Sequence, residues 1–400
     1  MQLQSIELFA GAGGLALGFS EHDVAHQAVV EWNSHACETI RRNKRADVEL
    51  VAHWPDVTEG DVRIFRYDAF QGIDLVTGGP PCQPFSMGGK AGGFLDPRDM
   101  FPQAIRAVRE TQPGAFVFEN VQGLKREAFA DYFRYILLQL EFPTMQTRTG
   151  EAWARHLARL DSHKAAGARS EYHVDWRLVN AANYGVPQKR MRIFIVGFRV
   201  DITNPFEFPI ATHSHDALLL DQWGAGGAYW ERHRVARRNR PARPEGIERK
   251  LQGLLDLDPA QARLPWLTVR DAISDLPDPE RRPDVELVQA HRFQPGARSY
   301  AGHTGSPLDE PAKALKAGDH GVPGGENMLR RPDGSVRYFT VRESARIQTF
   351  SDKFIFEGTW GETMRQLGNA VPVRLASVVA GGVCGHLRAA YQAPMLFAAA

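Results

Sequence analysis

Cysteine is scarce: three in 400 residues, at positions 37, 82 and 384, are too few and too scattered for a disulfide framework. No CxxC spacing offers zinc a ligand pair, and His213 and His215 lack further ligands at zinc-like distances, so no metal is expected. Charge of one sign is lacking too. With 48 Lys+Arg against 47 Asp+Glu the formal net charge is +1, which excludes a coat of basic residues but permits a local basic cleft. No run reaches the ~18 uncharged apolar residues of a membrane-spanning helix, so no membrane is expected among the partners. The opening MQLQSIELFAGAGG has no basic lead, so no signal peptide is expected either. Repeats and low-complexity tracts are absent. What remains, 43% hydrophobic and 24% charged, is the composition of a soluble chain with a sizeable core, expected in a reducing cytoplasm.

Short apolar runs alternate with helix-like stretches over the first two hundred residues, the pattern of a mostly parallel sheet covered by helices. Strands are predicted at Leu3–Phe9, Ala28–Glu31, Ile73–Thr77, Phe116–Glu119, Arg177–Asn180 and Arg192–Val196. Helical spacing of apolar residues marks Phe101–Glu110 and Phe129–Leu140. The stretch Phe142–Asp175 is polar and irregular, with a helix predicted near Ala152–Leu160. From about Arg199 to Arg337 periodicity fades, and proline, glycine and arginine suggest loops with short strands. Within it Arg232, Arg234, Arg237, Arg238, Arg240, Arg243, Arg249 and Lys250 form a basic run, which on charge alone reads as a solvated face. Compact patterning returns from Tyr338, with helices predicted at Arg342–Phe350 and Val373–Ala390.

Five short strings bear on chemistry. Phe9-Ala10-Gly11-Ala12-Gly13-Gly14 follows the first strand and opens a helix, where glycines admit a ligand to the backbone and unpaired N–H groups. Glu31, about twenty residues on, can accept from ribose hydroxyls. The pair suggests an adenosine-containing cofactor without choosing among NAD, FAD and S-adenosylmethionine, and a tight turn without ligand is the alternative. Gly78-Gly79-Pro80-Pro81-Cys82-Gln83-Pro84-Phe85-Ser86 places a thiol in a proline-stiffened loop at a strand's C-terminal end, where ligands bind in open α/β sheets. A reactive thiol fits that place better than an inert buried one. The glycines of Met87–Phe94 suggest a flap downstream. Phe116-Val117-Phe118-Glu119-Asn120-Val121 ends another apolar strand on a carboxylate, either a capping residue or a general acid. Gln188-Lys189-Arg190-Met191-Arg192 leads into Ile193–Phe198, with Arg190 and Arg192 expected on one strand face. They meet either internal acids or an anionic or polar ligand. Gln366-Leu367-Gly368-Asn369-Ala370-Val371-Pro372 reads as a turn before a helix.

In order and spacing these strings resemble the motif set of the DNA (cytosine-5) methyltransferases, as does Arg342-Glu343-Ser344-Ala345-Arg346-Ile347-Gln348 before the last of them. The match spans nearly the whole chain and is similar to enzymes of prokaryotic restriction-modification type. The resemblance implies an α/β fold: a Rossmann-like, mostly parallel methyltransferase sheet with a smaller, irregular target-recognition domain. Residues 1–204 and 337–400 would form the catalytic domain, the C-terminal segment completing its sheet. Residues 205–336 would form the recognition domain, with duplex DNA held in a cleft. It implies S-adenosylmethionine as methyl donor, leaving as S-adenosylhomocysteine, held by Phe9, Gly11, Gly13, Gly14, Glu31, Trp32, Asp61, Val62, Pro81, Asn369 and Val371. Asp61 would reach the adenine, in preference to Asp56. Cys82, Glu119, Arg190 and Arg192 would surround a cytosine flipped out of the duplex. Gln83 and Ser86 would lie near DNA, and Arg234, Arg237, Arg238 and Arg240 become phosphate- or base-contacting. The stretch from Glu119 to Arg190 is long for the family, suggesting an insertion at Thr144–Glu171. A monomer is expected, with a separately encoded restriction endonuclease as possible partner.

The implied chemistry is coherent. Cytosine C5 is a poor nucleophile until a thiolate adds at C6, and that addition puts charge on N3 that a carboxyl must neutralise. Rival readings are an RNA cytosine-5 methyltransferase, a flavin or nicotinamide oxidoreductase on the same glycine loop, and a catalytically dead DNA-binding relative. The oxidoreductase leaves Cys82, Arg190 and Arg192 without a role; the intact Cys82 and Glu119 argue against a dead relative.

Overall fold

The computed structural model describes residues 1–81, 99–202, 205–255, 263–281, 288–317 and 327–392. The chain divides into two compact units: residues 1–179, 191–209 and 376–400 form the first, residues 180–190 and 210–375 the second.

The first unit is built on strands β1 (Leu3–Leu8), β2 (Val24–Glu31), β3 (Thr58–Glu59), β4 (Leu75–Gly78), β5 (Ala115–Val121), β6 (Tyr172–Asn180) and, after the two-residue β7 (Gln188–Lys189), β8 (Met191–Arg199). Seven of them, all but β7, make one sheet in the order β3-β2-β1-β4-β5-β8-β6. Pairings β1–β2, β2–β3, β1–β4 and β4–β5 are parallel, and β5–β8 is antiparallel. Chain order therefore runs outward in opposite directions from the β1–β4 pair, which makes the C-terminal end of that pair the switch point where open α/β sheets bind ligands.

One face is covered by α3 (Phe101–Thr111), α4 (Ala130–Glu141) and α5 (Trp153–Ala165), after α1 (Gly14–Ser20) and α2 (Ser34–Arg45) earlier in the chain. Ile6, Leu8, Val76, Phe116 and Phe118 alternate on the strands and meet Ile105, Val108, Ile136 and Leu140 in one apolar cluster. Helix α5 falls in the polar stretch, where its buried residues are only His156 and Leu160.

The chain's last described helix, Val373–Gln392, closes on α1 and the start of the sheet: Gly18 sits so near Ala376 that a Cβ would be 2.4 Å from its Cβ. Arg388 donates to the carbonyls of Met1 at 2.9 Å and His22 at 2.6 Å. The C-terminal segment thus gives the first unit a helix rather than the expected completion of the sheet, because all seven strands fall between Leu3 and Arg199. Trp360–Gln392 contains a window of mean hydropathy 1.4, apolar enough by length and composition to cross a membrane. In this structure 61% of that window is buried within the protein.

The second unit has little sheet and several short helices. Ser306–Pro307, Met328–Arg330 and Val336–Tyr338 form a three-stranded sheet, and helices include His215–Trp223, Ile247–Leu255 and Val341–Ile347. Its apolar clusters are small: one joins Val269, Leu315, Leu329, Phe339 and Ile347, another Leu218, Tyr229, Trp230 and Val235. Capping boxes at Thr268/Asp271 and Thr340/Glu343 start two of its helices, and a buried Arg337–Glu343 pair braces the second box.

Polar groups are buried on β1 and its neighbours. Ser5 and His26 are 2.7 Å apart, and burial lowers His26 to about 4, keeping it neutral. Glu7 is 1% exposed; burial raises its carboxyl to about 8, while the Thr77 hydroxyl, which donates to it, pulls the other way. Because Glu7 binds its proton more tightly folded than unfolded, its contribution to stability is complete below its ordinary value of 4.5 and is lost as pH rises to about 8. Glu7→Gln, neutral at every pH, should therefore gain stability over the native chain from pH 5 to 8 by a few kcal/mol, on the order of the linkage expected for a buried carboxyl. Urea denaturation across that range measures it; curves that stay parallel would remove Glu7 as the cause.

Candidate active site

Leu8 pairs with Gly78 and Gly78 with Phe118, so β1, β4 and β5 deliver Phe9–Gly14, Gly79–Pro81 and Glu119 to one edge of the sheet. The turn after β1 is shaped by positive φ at Phe9 (54°), Gly11 (54°) and Gly13 (89°). Gly11 N–H donates to Glu31 Oε2 at 2.7 Å, and the N–H groups of Trp32 and Asn33 donate to Oε1 at 3.0 and 2.8 Å. Glu31 thus fixes the turn to the end of β2. It spends three of a carboxylate's roughly four acceptor positions on backbone and keeps capacity for a further donor. Trp32 beside it is 72% exposed.

Gly60 N–H donates to the Glu31 carbonyl at 2.9 Å, which brings Asp61 and the buried Val62 to the same end of the sheet. Asp61 accepts from Arg63 N at 2.9 Å and pairs with the Arg63 guanidinium, whose hydrogen bond holds the carboxyl below its ordinary range. Asp56, the alternative, is 96% exposed at its side chain and paired to Lys44.

The carboxylate of Glu119 lies alongside Gly79: a Cβ there would be 3.4 Å from Oε2. Arg192, on the antiparallel neighbour, is its diagonal partner, since Glu119 faces Phe194 and Val121 faces Arg192. The two form an ion pair, Nε to Oε1 at 2.5 Å, with side chains 12% and 8% exposed. Burial lowers the Arg192 pKa and the Glu119 charge opposes that shift. Asn120, absent from the sequence-based set, donates to the Pro80 carbonyl at 2.9 Å, and Met100 N–H donates to the Pro81 carbonyl at 3.1 Å. Asn120 therefore ties the start of the cysteine loop to β5. A polar residue following a strand-terminal acid was the signal for it.

Cys82, Gln83 and Ser86 lie outside the described residues. The other two cysteines are buried, and burial pushes the thiols of Cys37 and Cys384 up to about 12. Neither is a thiolate near neutral pH.

Arg190 departs from the expectation of a shared face with Arg192. The strand breaks between them: β7 pairs with Ala312–Lys313 in the second unit, while Arg192 continues into the main sheet. Arg190 is 1% exposed, and its guanidinium donates to the carbonyls of Leu315, Gly368 and Ala370. Those acceptors hold it within the second unit, away from any solvent-facing position. In that unit Asn369 is exposed and Val371 buried. Arg234, Arg237 and Arg238 are exposed without an ion-pair partner among the described residues, whereas Arg240 donates to Glu231 at 2.6 Å and the Val235 carbonyl at 3.0 Å.

Comparison with known proteins shows the family of the chain. The model of the C-5 cytosine-specific DNA methylase family matches residues 3–143, 149–240 and 282–384. The chain belongs to that family. It is 31% identical over 390 residues to the type II methyltransferase M.NgoMIV of Neisseria gonorrhoeae, covering 95% of this chain and 96% of the relative. To M.PspPI, a type II methyltransferase of a Psychrobacter species, it is 29% identical over 397 residues, covering 96% and 80%. The crystal structure of the Dnmt2 methyltransferase of S. pombe superposes with a TM-score of 0.55 at 18% identity, covering 97% and 99%, which shows a shared α/β fold. The enzyme is accordingly a DNA (cytosine-5)-methyltransferase.

In this methyltransferase the glycine turn has unequal demands. A Cβ at Gly13 would be 2.7 Å from Trp54 Cη2, besides requiring a φ of +89°; at Gly11 nothing lies within 4 Å and only φ resists. Gly13→Ala should cost about 2–3 kcal/mol and Gly11→Ala about 1 kcal/mol in urea denaturation. Equal losses would contradict the packing role of Trp54.

Proposed function

We propose that this enzyme transfers a methyl group from S-adenosylmethionine to C5 of a cytosine flipped out of a specific duplex DNA sequence, through a covalent adduct on Cys82. The observation that supports it most is the Glu119–Arg192 pair at the sheet edge, alongside Gly79 and three residues ahead of Cys82, in a chain whose other two thiols burial silences.

The first unit's residues fit the adenosine part of the donor. Glu31 keeps acceptor capacity for a ribose hydroxyl, Trp32 offers an exposed face for stacking, and Asp61 with Val62, at the same end of the sheet, is assigned to the adenine. Phe9, Gly11, Gly13, Gly14 and Pro81 shape the turns against it, and the motif resemblance adds Asn369 and Val371 to the donor-holding set. Bound there, S-adenosylmethionine supplies a methyl group carried on a sulfonium and leaves as S-adenosylhomocysteine.

The remaining chemistry belongs to the chain. The Cys82 thiolate adds to C6 of the base, breaking the C5–C6 double bond and making C5 nucleophilic. Arg192 donates to the base's carbonyl oxygen while Glu119 holds a proton at N3, which offsets the charge that addition places there. After methylation the C5 proton is lost, the double bond re-forms and Cys82 leaves as thiolate. Attack on C6 comes from above the ring plane, which stacking blocks, so the base must leave the duplex at a cost of a few kcal/mol.

Residues 205–336 form the recognition region in this reading. Arg234, Arg237 and Arg238 have guanidiniums available to phosphates or guanine edges, and Arg240 joins them from a position partly committed to Glu231. Gln83 and Ser86, which follow Cys82 in the sequence, are assigned to the DNA in this reading. In this reading the enzyme protects host DNA beside a separately encoded endonuclease and acts as a monomer in the cytoplasm; the relatives' names, type II methyltransferases, support the methylating role.

Transfer of a tritiated methyl group to duplex DNA tests the reading. The native chain should label duplex DNA and not transfer RNA, and Cys82→Ala should lose at least about a thousandfold in rate, the scale of removing a covalent nucleophile. Labelling of transfer RNA alone would contradict the substrate, and an active Cys82→Ala the mechanism.

A further inference from the structure

Three buried polar side chains of the second unit, those of Gln188, Arg190 and Gln348, form one network at a single turn. Gln348 Nε2 donates to the carbonyls of Leu367 and Ala370, and Arg190 Nη2 donates to those of Gly368 and Ala370. Gln188 ties the two donors together: its Nε2 donates to Gln348 Oε1 at 3.0 Å, and its Oε1 accepts from Arg190 Nη1 at 3.3 Å and from Leu315 N at 3.0 Å. Arg190 Nη1 also donates to the Leu315 carbonyl at 3.0 Å. The other side of the turn is closed by backbone, since a Cβ at Gly368 would be 2.5 Å from Ala317 N. That backbone is itself fixed, Lys316 exchanging two hydrogen bonds with the Asn327 side chain at 3.0 and 3.1 Å.

Every main-chain carbonyl from Leu367 to Ala370 except that of Asn369 is thereby held by a buried side chain, while Asn369 itself is exposed. From Leu367 to Val371 the turn is buried except at Asn369. The last turn of a helix leaves its carbonyls without intrahelical partners, and in a buried turn protein donors must satisfy them, which neutral amides could do without burying a charge. Burying a guanidinium to do so is expensive unless the position of the turn matters.

We propose that Arg190, with Gln188 and Gln348, is a positioning residue for Asn369: it sets the place of the Asn369 side chain and through it the affinity for the methyl donor, and it touches neither cytosine nor DNA. This rests on the reading that Asn369 helps to hold S-adenosylmethionine. It gives the two arginines of one sequence string separate tasks, Arg192 at the base and Arg190 at the donor.

The test compares Arg190→Ala, Arg190→Lys, Asn369→Ala and the Arg190→Ala/Asn369→Ala pair in the full chain. Calorimetry gives the affinity for S-adenosylhomocysteine, and steady-state methylation gives kcat and the donor KM. Arg190→Ala should weaken binding and raise the donor KM roughly tenfold, the scale of leaving buried carbonyls unpaired, with kcat at saturating donor nearly unchanged. Arg190→Lys should restore part of the affinity. The double variant should bind no more weakly than the worse single one, because both changes disable one element. Lost kcat with unchanged donor affinity would overturn the proposal by returning Arg190 to the base, as would additive losses in the double variant. An Asn369→Ala chain of native affinity would overturn the reading of Asn369 and the proposal with it. Should Arg190→Ala not fold, Gln348→Ala removes two bonds to the same turn, and it must show the same loss confined to donor affinity or the proposal fails.

Discussion

Parallel pairing of β1 with β4 and of β4 with β5 is the constraint on which the site depends. Parallel strands point their C-terminal ends the same way, so three loops far apart in sequence must emerge side by side. The first is the glycine turn fastened to Glu31, the second the proline loop that leads to Cys82, and the third the strand end that carries Glu119. Register then sets distance. Were β5 to slip by one residue against β4, Glu119 would turn to the opposite face and lose both Gly79 and Arg192. The antiparallel β8 is needed for the same reason, since only a strand running back across β5 sets Arg192 diagonally opposite the acid.

Charge is buried here in three distinct ways. Glu119 and Arg192 pair directly, at the sheet edge where a polar ring can take either partner. The Arg190 guanidinium is dispersed over three carbonyls and an amide, an arrangement that holds backbone rather than ligand. Glu7 has neither, only a hydroxyl, and burial favours its protonated form up to about pH 8. The first arrangement suits chemistry, the second geometry and the third a core strand.

Much of this was legible in the sequence because its signals are local. Phe116–Glu119 was readable as a strand from its short apolar run and Leu3–Phe9 from the apolar residues that recur along it, and Phe101–Glu110 as a helix from its apolar spacing. Glu119 and Arg192 were readable as strand-end groups. The fate of Arg190 was not, since alternation along Gln188–Arg192 assumes one continuous strand and the break is made by pairing with Ala312–Lys313, over a hundred residues away. Asn120 was missed because the only hint of it was a polar residue after the acid, and its partner, the Pro80 carbonyl, is a backbone atom far away in sequence. The helices His215–Trp223 and Ile247–Leu255 fell in a stretch read as loops, where arginine, proline and glycine between short elements mask the 3.6-residue period. That region is also where the family model leaves residues 241–281 unmatched, so motif resemblance has least to say about the bases this chain reads.

The central claim is a covalent bond between Cys82 and C6 of a cytosine placed against Glu119 and Arg192. Its most direct measurement is mass spectrometry of the enzyme incubated with S-adenosylmethionine and duplex DNA carrying 5-fluorocytosine at every cytosine. Fluorine at C5 cannot leave as the proton does, so the methylated adduct should persist and tryptic mapping should place one nucleotide on the peptide containing Cys82. Turnover of ordinary duplex DNA by an enzyme that forms no such adduct, or an adduct mapped to Cys37 or Cys384, would contradict the account.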